Sequence, residues 1–173
     1  MIARRTVDMT DNLFPQPEHD HGSCVEHAVA RAHAICAERS VRLTPLRESV
    51  LRVLLSSHKA LGAYDIIEEL QMDGRRLAPI SVYRIIDVLL EAGLAHRLES
   101  RNAFFACLSE HDNANSMLVL VCEGCCRVAE AEAPEAWRAI KRMTQSSGFA
   151  VTDTVLEIQG KCADCRAAPG KAA

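Results

Sequence analysis

The chain has 173 residues, a length that allows two small domains but excludes a large enzyme core. Apolar residues make up 49% and charged residues 25%, an ordinary globular composition that excludes disorder over the whole chain. The longest apolar runs, such as residues 117–122, fall far short of the roughly 20 residues that a membrane-spanning helix needs. The N-terminus lacks the apolar core of a signal peptide. We therefore expect a cytoplasmic protein with no membrane partner.

The net charge of −3 argues against a nucleic-acid partner, but the charges are unevenly distributed. Residues 39–101 carry ten Lys/Arg against eight Asp/Glu, and all but one of these cations are arginines. Arginine suits phosphate and guanine because its planar guanidinium donates two hydrogen bonds at once. This middle segment gives a weak indication of nucleic-acid binding.

Residues 1–23 mix charges, prolines and a glycine without an apolar period, so we predict a mobile N-terminal tail. At its end, a metal could bind to His19, His21, Cys24 and His27. The simpler interpretation, which we favour, is a solvated tail with scattered histidines.

Four helices are predicted next. Apolar residues recur at helical spacing from Val25 and predict a first helix that ends before residue 41. A capping hydroxyl and a proline, Thr44 and Pro45, start the second. A short third helix stops near Gly74, and a fourth opens at residues 79–81 and ends at Gly93. Three short helices after a longer one suit a helix-turn-helix.

A β-hairpin follows, with strands at residues 94–99 and 103–107. If Arg101 and Asn102 form a two-residue loop, His96 lies directly opposite Cys107. Directly opposed side chains share a face, with Cβ atoms about 4.5–5.5 Å apart, so two metal ligands would lie side by side. A hairpin after a helix-turn-helix is the wing of a winged helix. We place this domain at residues 24–102 and a hinge at residues 103–112.

The last third, residues 113–173, is predicted to form a small α/β domain, which makes the fold class α+β. Strands at residues 117–122 and 127–132 enclose a tight turn, a helix begins at Pro134, and a third strand spans residues 149–158. A unit of about 60 residues buries only about 60% of its unfolded surface. It therefore needs a metal, a partner subunit, or both.

Eight cysteines in a chain without an export signal are expected to stay reduced, which favours metal binding for grouped cysteines. Two CxxC pairs, Cys122 with Cys125 and Cys162 with Cys165, can converge into a closed tetrahedral S₄ zinc site, which is structural rather than catalytic. The neighbouring Cys126 could replace Cys125, although CxxC spacing favours Cys125. A thioredoxin-type redox motif needs a strand-to-helix context, which a hairpin turn does not provide.

A second metal site is predicted from His96, Cys107, His111 and Glu130. Mixed ligands from two domains suit a zinc ion that binds and leaves, because neither domain preforms the site alone. The alternative is that each residue is simply solvated, and for His111 the two interpretations are nearly balanced.

A third set lies on the helix-turn-helix and comprises Tyr64, Ser81, Tyr83 and Arg84. An arginine on a recognition helix can reach guanine O6 and N7, and a tyrosine can touch a thymine methyl or a phosphate. Surface arginines more often only solubilise a protein, so the winged-helix context carries this prediction.

Together these residues resemble the ferric uptake regulator family over roughly residues 25–165. Cys107 points to its zinc-sensing branch, because iron and peroxide sensors of the family generally lack a thiolate in the wing. The matching segments are residues 41–45 with Arg47, 63–65, 81–84, 94–100, both CxxC pairs and 148–150.

The resemblance implies a homodimer with N-terminal DNA-binding domains and a C-terminal dimerisation domain that holds structural zinc. It implies a second, regulatory zinc at the hinge, hence two Zn²⁺ per subunit, and double-stranded operator DNA as the partner. The implied function is zinc-dependent repression of zinc-uptake genes, with no enzymatic activity and no small-molecule substrate. By position, Tyr64 and Arg84 match DNA-contacting residues of the family.

His96, Cys107 and Glu130 match three hinge ligands of the family. The fourth, a histidine, falls by direct alignment at Asn115, a poor zinc ligand, so we propose that the loop shifts to deliver His111. Two further positions at which relatives often carry histidine hold Asp153 and Gln159, which argues against a third site there.

Three rival readings remain from sequence alone. A zinc-bound water at the hinge could perform hydrolysis, but no general base lies beside the ligands. The same architecture could sense iron, manganese or peroxide. A zinc-ribbon adaptor for proteins would leave the winged helix unexplained.

Overall fold

The computed structural model describes residues 13–14, 21–107, 117–152 and 154–167, which form two units in chain order. The first contains α1 (His21–Glu38), α2 (Pro45–Leu55), α3 (Ala63–Met72), α4 (Pro79–Glu91), β1 (Ala95–Leu98), a 3₁₀ turn (Glu99–Arg101) and β2 (Ala103–Ala106). The second contains β3 (Met117–Cys122), β4 (Val128–Glu132), α5 (Pro134–Ser146), β5 (Glu157–Gly160) and α6 (Ala163–Ala167).

The helices of the first unit begin where local capping allows. The Thr44 hydroxyl accepts the Arg47 amide hydrogen at 3.4 Å at the start of α2. At the start of α3, the Gly62 amide donates to the Asp65 carboxylate at 2.8 Å. The first helix spans His21–Glu38 and so includes the four residues before Val25, the residue at which its apolar spacing begins.

The core of the winged helix is formed by apolar faces of α2, α3 and α4, as their spacing predicts. Fully buried side chains include Val50, Ile66 and Ile86. Phe104 and Ala106 of β2 belong to the same core, so the second strand of the hairpin packs with the helices of this unit. In the part of the chain that the structure describes, no helix is long and apolar enough to cross a bilayer.

The register of the wing differs from the prediction. His96 pairs with Phe105, and the Cys107 amide donates to the Leu94 carbonyl at 3.0 Å. The prediction of a two-residue loop is wrong because the 3₁₀ turn and Asn102, at φ 47°, together make a four-residue tip. A slip of two residues preserves the face, so Cys107 lies diagonal to His96 and on the same side of the hairpin.

The second unit is a three-stranded sheet in the order β4-β3-β5, antiparallel between β3 and β4 and parallel between β3 and β5. The third strand is shorter than predicted, because only Glu157–Gly160 pairs with β3. A parallel strand needs a crossover connection, and the residues after α5 provide the return path instead of strand. Gly148, at φ 70°, follows the end of α5.

One face of this sheet packs against the wing. Leu98 and Phe105 of the wing form an apolar cluster with Val119, Val121 and Val128 of the sheet. These five side chains are between 0% and 4% exposed, so burial of apolar surface holds the wing on the sheet in this arrangement.

Polar contacts flank the apolar cluster. Val119 pairs with Glu130 on one side and with Glu157 on the other, so both carboxylates lie at the same level of the sheet. The Glu157 carboxylate accepts hydrogen bonds from the amides of Glu99 at 2.6 Å and Ser100 at 3.1 Å. One acidic residue of β5 therefore caps the tip of the wing.

Candidate functional site

The two CxxC pairs converge at one end of the sheet. Cys122 ends β3, Cys125 lies in the following turn, and Cys162 and Cys165 lie just before and within α6. Their four sulfur atoms lie within 4.8 Å of one another, and the sulfurs of Cys125 and Cys162 are 3.9 Å apart. Four thiolates on a tetrahedral zinc ion with bonds of about 2.3 Å would lie about 3.8 Å apart. The donor set and its spacing therefore fit zinc.

The backbone around these cysteines leaves little freedom. A Cβ at Gly124 would lie 2.9 Å from the sulfur of Cys165, so a larger residue in the turn would have to displace Cys165. Cys126 adopts φ 59° and accepts a 3.5 Å contact from the Arg101 guanidinium. Of the two neighbouring thiols left open by the sequence, the cluster contains Cys125 and not Cys126.

The thiols of the cluster ionise unequally. Burial opposes ionisation of Cys122, but hydrogen bonds from the backbone amides of Cys162, Cys125 and Gly124 outweigh it and lower the pKa of Cys122 to about 6. Desolvation and hydrogen bonds to the other thiols raise the pKa of Cys165 to about 12. Hydrogen bonding in the cluster thus favours ionisation at Cys122 and opposes it at Cys165, so a metal must displace the proton of Cys165.

Arg127 supports the cluster electrostatically, and no motif in the sequence marks it for this role. The Arg127 guanidinium donates to the sulfurs of Cys125 at 3.2 Å and Cys162 at 3.6 Å, and to the Asp164 carboxylate at 2.5 Å. Desolvation works against the charge, yet the hydrogen bonds from Arg127 to Cys125 and Asp164 raise its pKa overall. A zinc ion with four thiolates carries a net charge of −2, which this half-buried cation partly offsets.

The second cluster joins the wing to the sheet. His96 on β1, Cys107 just after β2 and Glu130 on β4 place their ligand atoms within 4.8 Å of one another. The His96 Nε2 atom lies 3.3 Å from a Glu130 carboxylate oxygen, and the Glu130 side chain is only 2% exposed. Nitrogen and oxygen ligands of a tetrahedral zinc ion would lie about 3.4 Å apart. Arg31 of α1 donates to the Cys107 carbonyl and fixes the backbone at this cluster.

Several residues of the predicted sites lie outside the described residues: His111, Asn115 and Asp153. The fourth hinge ligand therefore stays a prediction. Gln159 lies exposed on β5.

A third cluster was only partly predicted. His21 and Cys24 lie in the first turn of α1, and His58 in the loop between α2 and α3 completes a group with ligand atoms within 4.8 Å of one another. His27 is exposed and lies outside this group, and His19 lies outside the described residues. No pattern in the sequence connects His58 to residues so distant along the chain.

The helix-turn-helix presents the predicted contact residues to solvent. Tyr64, at the start of α3, is 72% exposed, and Tyr83, on the first turns of α4, is 37% exposed. Arg84 is exposed and Ser81 is half-buried beside it. These four side chains could therefore reach a large partner without any rearrangement of the core.

Two more cations lie next to this surface and were not singled out from the sequence. Arg75 and Arg76 are exposed in the turn that leads into α4. A charge count restricted to the helix-turn-helix could have found them. They add positive charge at the end of α4 where the helix dipole is also positive.

Comparison with known proteins identifies the family. Residues 38–159 match the model of the Ferric uptake regulator family. The chain belongs to the ferric uptake regulator family. It is 34% identical to the zinc uptake regulation protein of Escherichia coli strain K12 over 140 residues, which are 81% of this chain and 82% of that protein.

Solved structures of the ferric uptake regulator family agree. A zinc uptake regulator complexed with zinc and DNA matches with a TM-score of 0.77 and 34% identity, covering 83% of this chain and 95% of that one. The crystal structure of holo XcZur matches with a TM-score of 0.73 and 33% identity, covering 83% of this chain and 99% of that one. The α+β fold and the prediction of a regulator rather than an enzyme are confirmed.

Proposed function

We propose that this protein is a zinc-responsive transcriptional repressor of zinc-uptake genes, which binds operator DNA as a homodimer in the cytoplasm. The observation that carries the proposal is the His96, Cys107 and Glu130 cluster, which spans the wing and the sheet. Relatives described as a zinc uptake regulation protein and as a zinc uptake regulator with zinc and DNA support it.

Two zinc ions per subunit fit the donor sets. The structural ion would be held by Cys122, Cys125, Cys162 and Cys165, whose four sulfurs leave no position for a substrate. The regulatory ion would be held by His96, Cys107 and Glu130, with His111 as the proposed fourth ligand. When bound, that ion supplies the positive charge that offsets the thiolate and the carboxylate.

The residues of the hinge set which arrangement of the two units is stable. In the closed arrangement the Glu130 side chain is only 2% exposed, and the cost of burying its carboxylate without a cation favours separation of the wing from the sheet. The apolar cluster around Leu98 and the Glu157 cap on the wing tip favour closure. Opposing forces of this kind make a hinge that a cation can switch.

The required coupling is large. Moving a two-state hinge from 1:99 to 99:1 takes a ligand that prefers the closed state about 10⁴-fold, or about 5.5 kcal/mol. Linkage is reciprocal. Operator DNA should therefore raise the affinity of the regulatory site for zinc by the same factor by which zinc raises the affinity of the protein for operator DNA.

The proposed DNA contacts all lie on the exposed face of the helix-turn-helix. We propose that Arg84 reads a base in the major groove, that Tyr64 and Tyr83 touch a thymine methyl or a phosphate, and that Ser81 contacts the backbone. In a dimer, paired α4 helices would read half-sites about one helical turn apart, about 34–36 Å.

Exposed apolar side chains of the second unit support the proposal of a dimer interface. The amphipathic α5 buries none of its residues, and Met143 on it is 65% exposed. The segment after α5 adds Phe149 at 66% and Val155 at 52%, and β5 adds Ile158 at 54%. Exposed apolar residues gathered on one small unit mark an interaction surface.

The test is a binding assay with the full-length protein. A duplex operator is first selected from a randomised library by the zinc-loaded protein, then titrated with protein in zinc buffer and again after a chelator is added. We expect binding that requires zinc and is lost with the chelator. Binding that is indifferent to the chelator, or that responds to iron or manganese instead of zinc, would overturn the proposal.

A further inference from the structure

We propose that His21, Cys24 and His58 form a third metal site, which binds Zn²⁺ and is separate from both sites described above. Two of the ligands lie in the first turn of α1 and the third in the loop between α2 and α3. Their ligand atoms lie within 4.8 Å of one another, and all three residues are half-buried.

The local geometry brings the three side chains to one point. His21 and Cys24 are three residues apart on a helix, so they share a face. That face is turned to the loop, because the rings of His21 and His58 meet edge to face with centroids 5.0 Å apart and planes at 69°.

The hydrogen bond of His21 orients its ring for a metal. Its Nε2 atom lies 2.7 Å from the Ser56 carbonyl oxygen. A carbonyl can only accept, so Nε2 carries the hydrogen in this contact, which leaves Nδ1 as the ring atom for a metal. Histidines that bind metals typically donate their other ring N–H to a carbonyl or carboxylate. The contact of His21 with the Ser56 carbonyl is of the same kind.

The donor set selects the ion. Two imidazoles and one thiolate suit a borderline-soft cation such as zinc, with bonds of about 2.0–2.3 Å. Three protein ligands leave one tetrahedral position for water.

The position of His58 gives such a site a structural consequence. The His58 carbonyl accepts the Val128 amide hydrogen at 2.8 Å, and Lys59 forms a β-bridge with Arg127. The loop that carries the third ligand is thus also docked on the sheet. A metal at this site ties α1 to that loop and restrains the winged helix against the second unit.

The first test counts zinc in the full-length protein after exchange into zinc buffer. We expect Cys24→Ser and His58→Ala each to hold one zinc fewer per subunit than the wild type. His27→Ala is the matched control, because His27 lies on the same turns of α1 but is exposed and outside the cluster. Equal zinc content in all four proteins, or the same loss in the control, would overturn the proposal. This test counts zinc ions per subunit and involves no DNA, so its outcome does not depend on whether the protein represses zinc-uptake genes.

The second test measures the loop itself by amide hydrogen exchange. At free zinc about 100 times the dissociation constant of this site, exchange of the Val128 amide through opening of the loop should slow about 100-fold. The slowing should be absent in Cys24→Ser and present in His27→Ala. Slowing that persists in Cys24→Ser would assign the effect to another site and contradict the coupling.

Discussion

Replacing Cys107 with serine isolates the contribution of one ligand at the hinge. The sulfur of Cys107 lies within 4.8 Å of the ligand atoms of His96 and Glu130, and the residue is half-buried. Serine keeps the shape of the side chain but offers a hydroxyl, which stays protonated at neutral pH and binds zinc weakly. The fold should survive because Cys107 lies outside both apolar cores.

The expected magnitude follows from the ligand set. A full switch requires about 5.5 kcal/mol of preference for the closed state. Cys107 and Glu130 are the two anionic ligands among the three in the cluster, so we assign about half of that preference to each. Loss of about 2.7 kcal/mol corresponds to a factor of about 100.

Fluorescence anisotropy of labelled operator in zinc buffers measures this factor. The free zinc concentration for half-maximal binding should rise about 100-fold in Cys107→Ser. It should stay unchanged in Cys126→Ser, a half-buried thiol outside all three clusters in the described residues. An unchanged zinc requirement in Cys107→Ser, with a folded dimer, would refute the assignment of this residue to the regulatory site.

Three further predictions concern other parts of the molecule. Cys162→Ser should cost folding or dimerisation, seen by circular dichroism and sizing chromatography, because loss of a structural zinc ligand is loss of folding free energy; an intact, stable dimer would contradict this. Arg84→Ala should weaken specific DNA binding by about 1–3 kcal/mol, whereas an equal loss on unrelated duplexes would make it a phosphate contact. Hydrogen bonds from Arg52 lower the pKa of Glu26 and of Glu48. These contacts therefore stabilise the fold at pH values above the ordinary pKa range of carboxyl groups, and the stabilisation is lost as the pH falls through the lowered pKa values. Arg52→Gln should therefore lower the melting temperature at pH 7 and converge with the wild type in acid; a deficit independent of pH would contradict it.

Local signals predicted the helices and the four-thiol cluster well. The hydroxyl of Thr44 with Pro45 fixes the start of α2, and the spacing of two CxxC pairs requires only that the chain return to one end of the sheet. Both kinds of signal act over a few residues, where sequence and geometry are tightly linked.

In the wing, the predicted proximity of His96 and Cys107 is correct although the strand register from which it was derived is wrong. The proximity of His96 and Cys107 holds because a slip of two residues preserves the face of each side chain. The slip arises because the 3₁₀ turn at Glu99–Arg101 and the left-handed Asn102 together make a four-residue tip. Asparagine tolerates that conformation but does not demand it, so the sequence alone leaves the loop length open.

Long-range contacts that no sequence motif marks could not be predicted. His58 joins two residues of α1, and Arg127 serves thiols from both CxxC pairs, only because the tertiary fold brings them together. The shortening of β5 has the same origin, since its pairing depends on where the crossover meets β3.

The central claim is that zinc at the hinge and DNA at α4 stabilise the same closed arrangement. Zinc affinity of the regulatory site, measured by competition with a chromophoric chelator in the presence and absence of the selected operator, tests this coupling directly. We predict tighter zinc binding with operator, by the factor with which zinc tightens operator binding. The same zinc affinity with and without DNA would contradict the account.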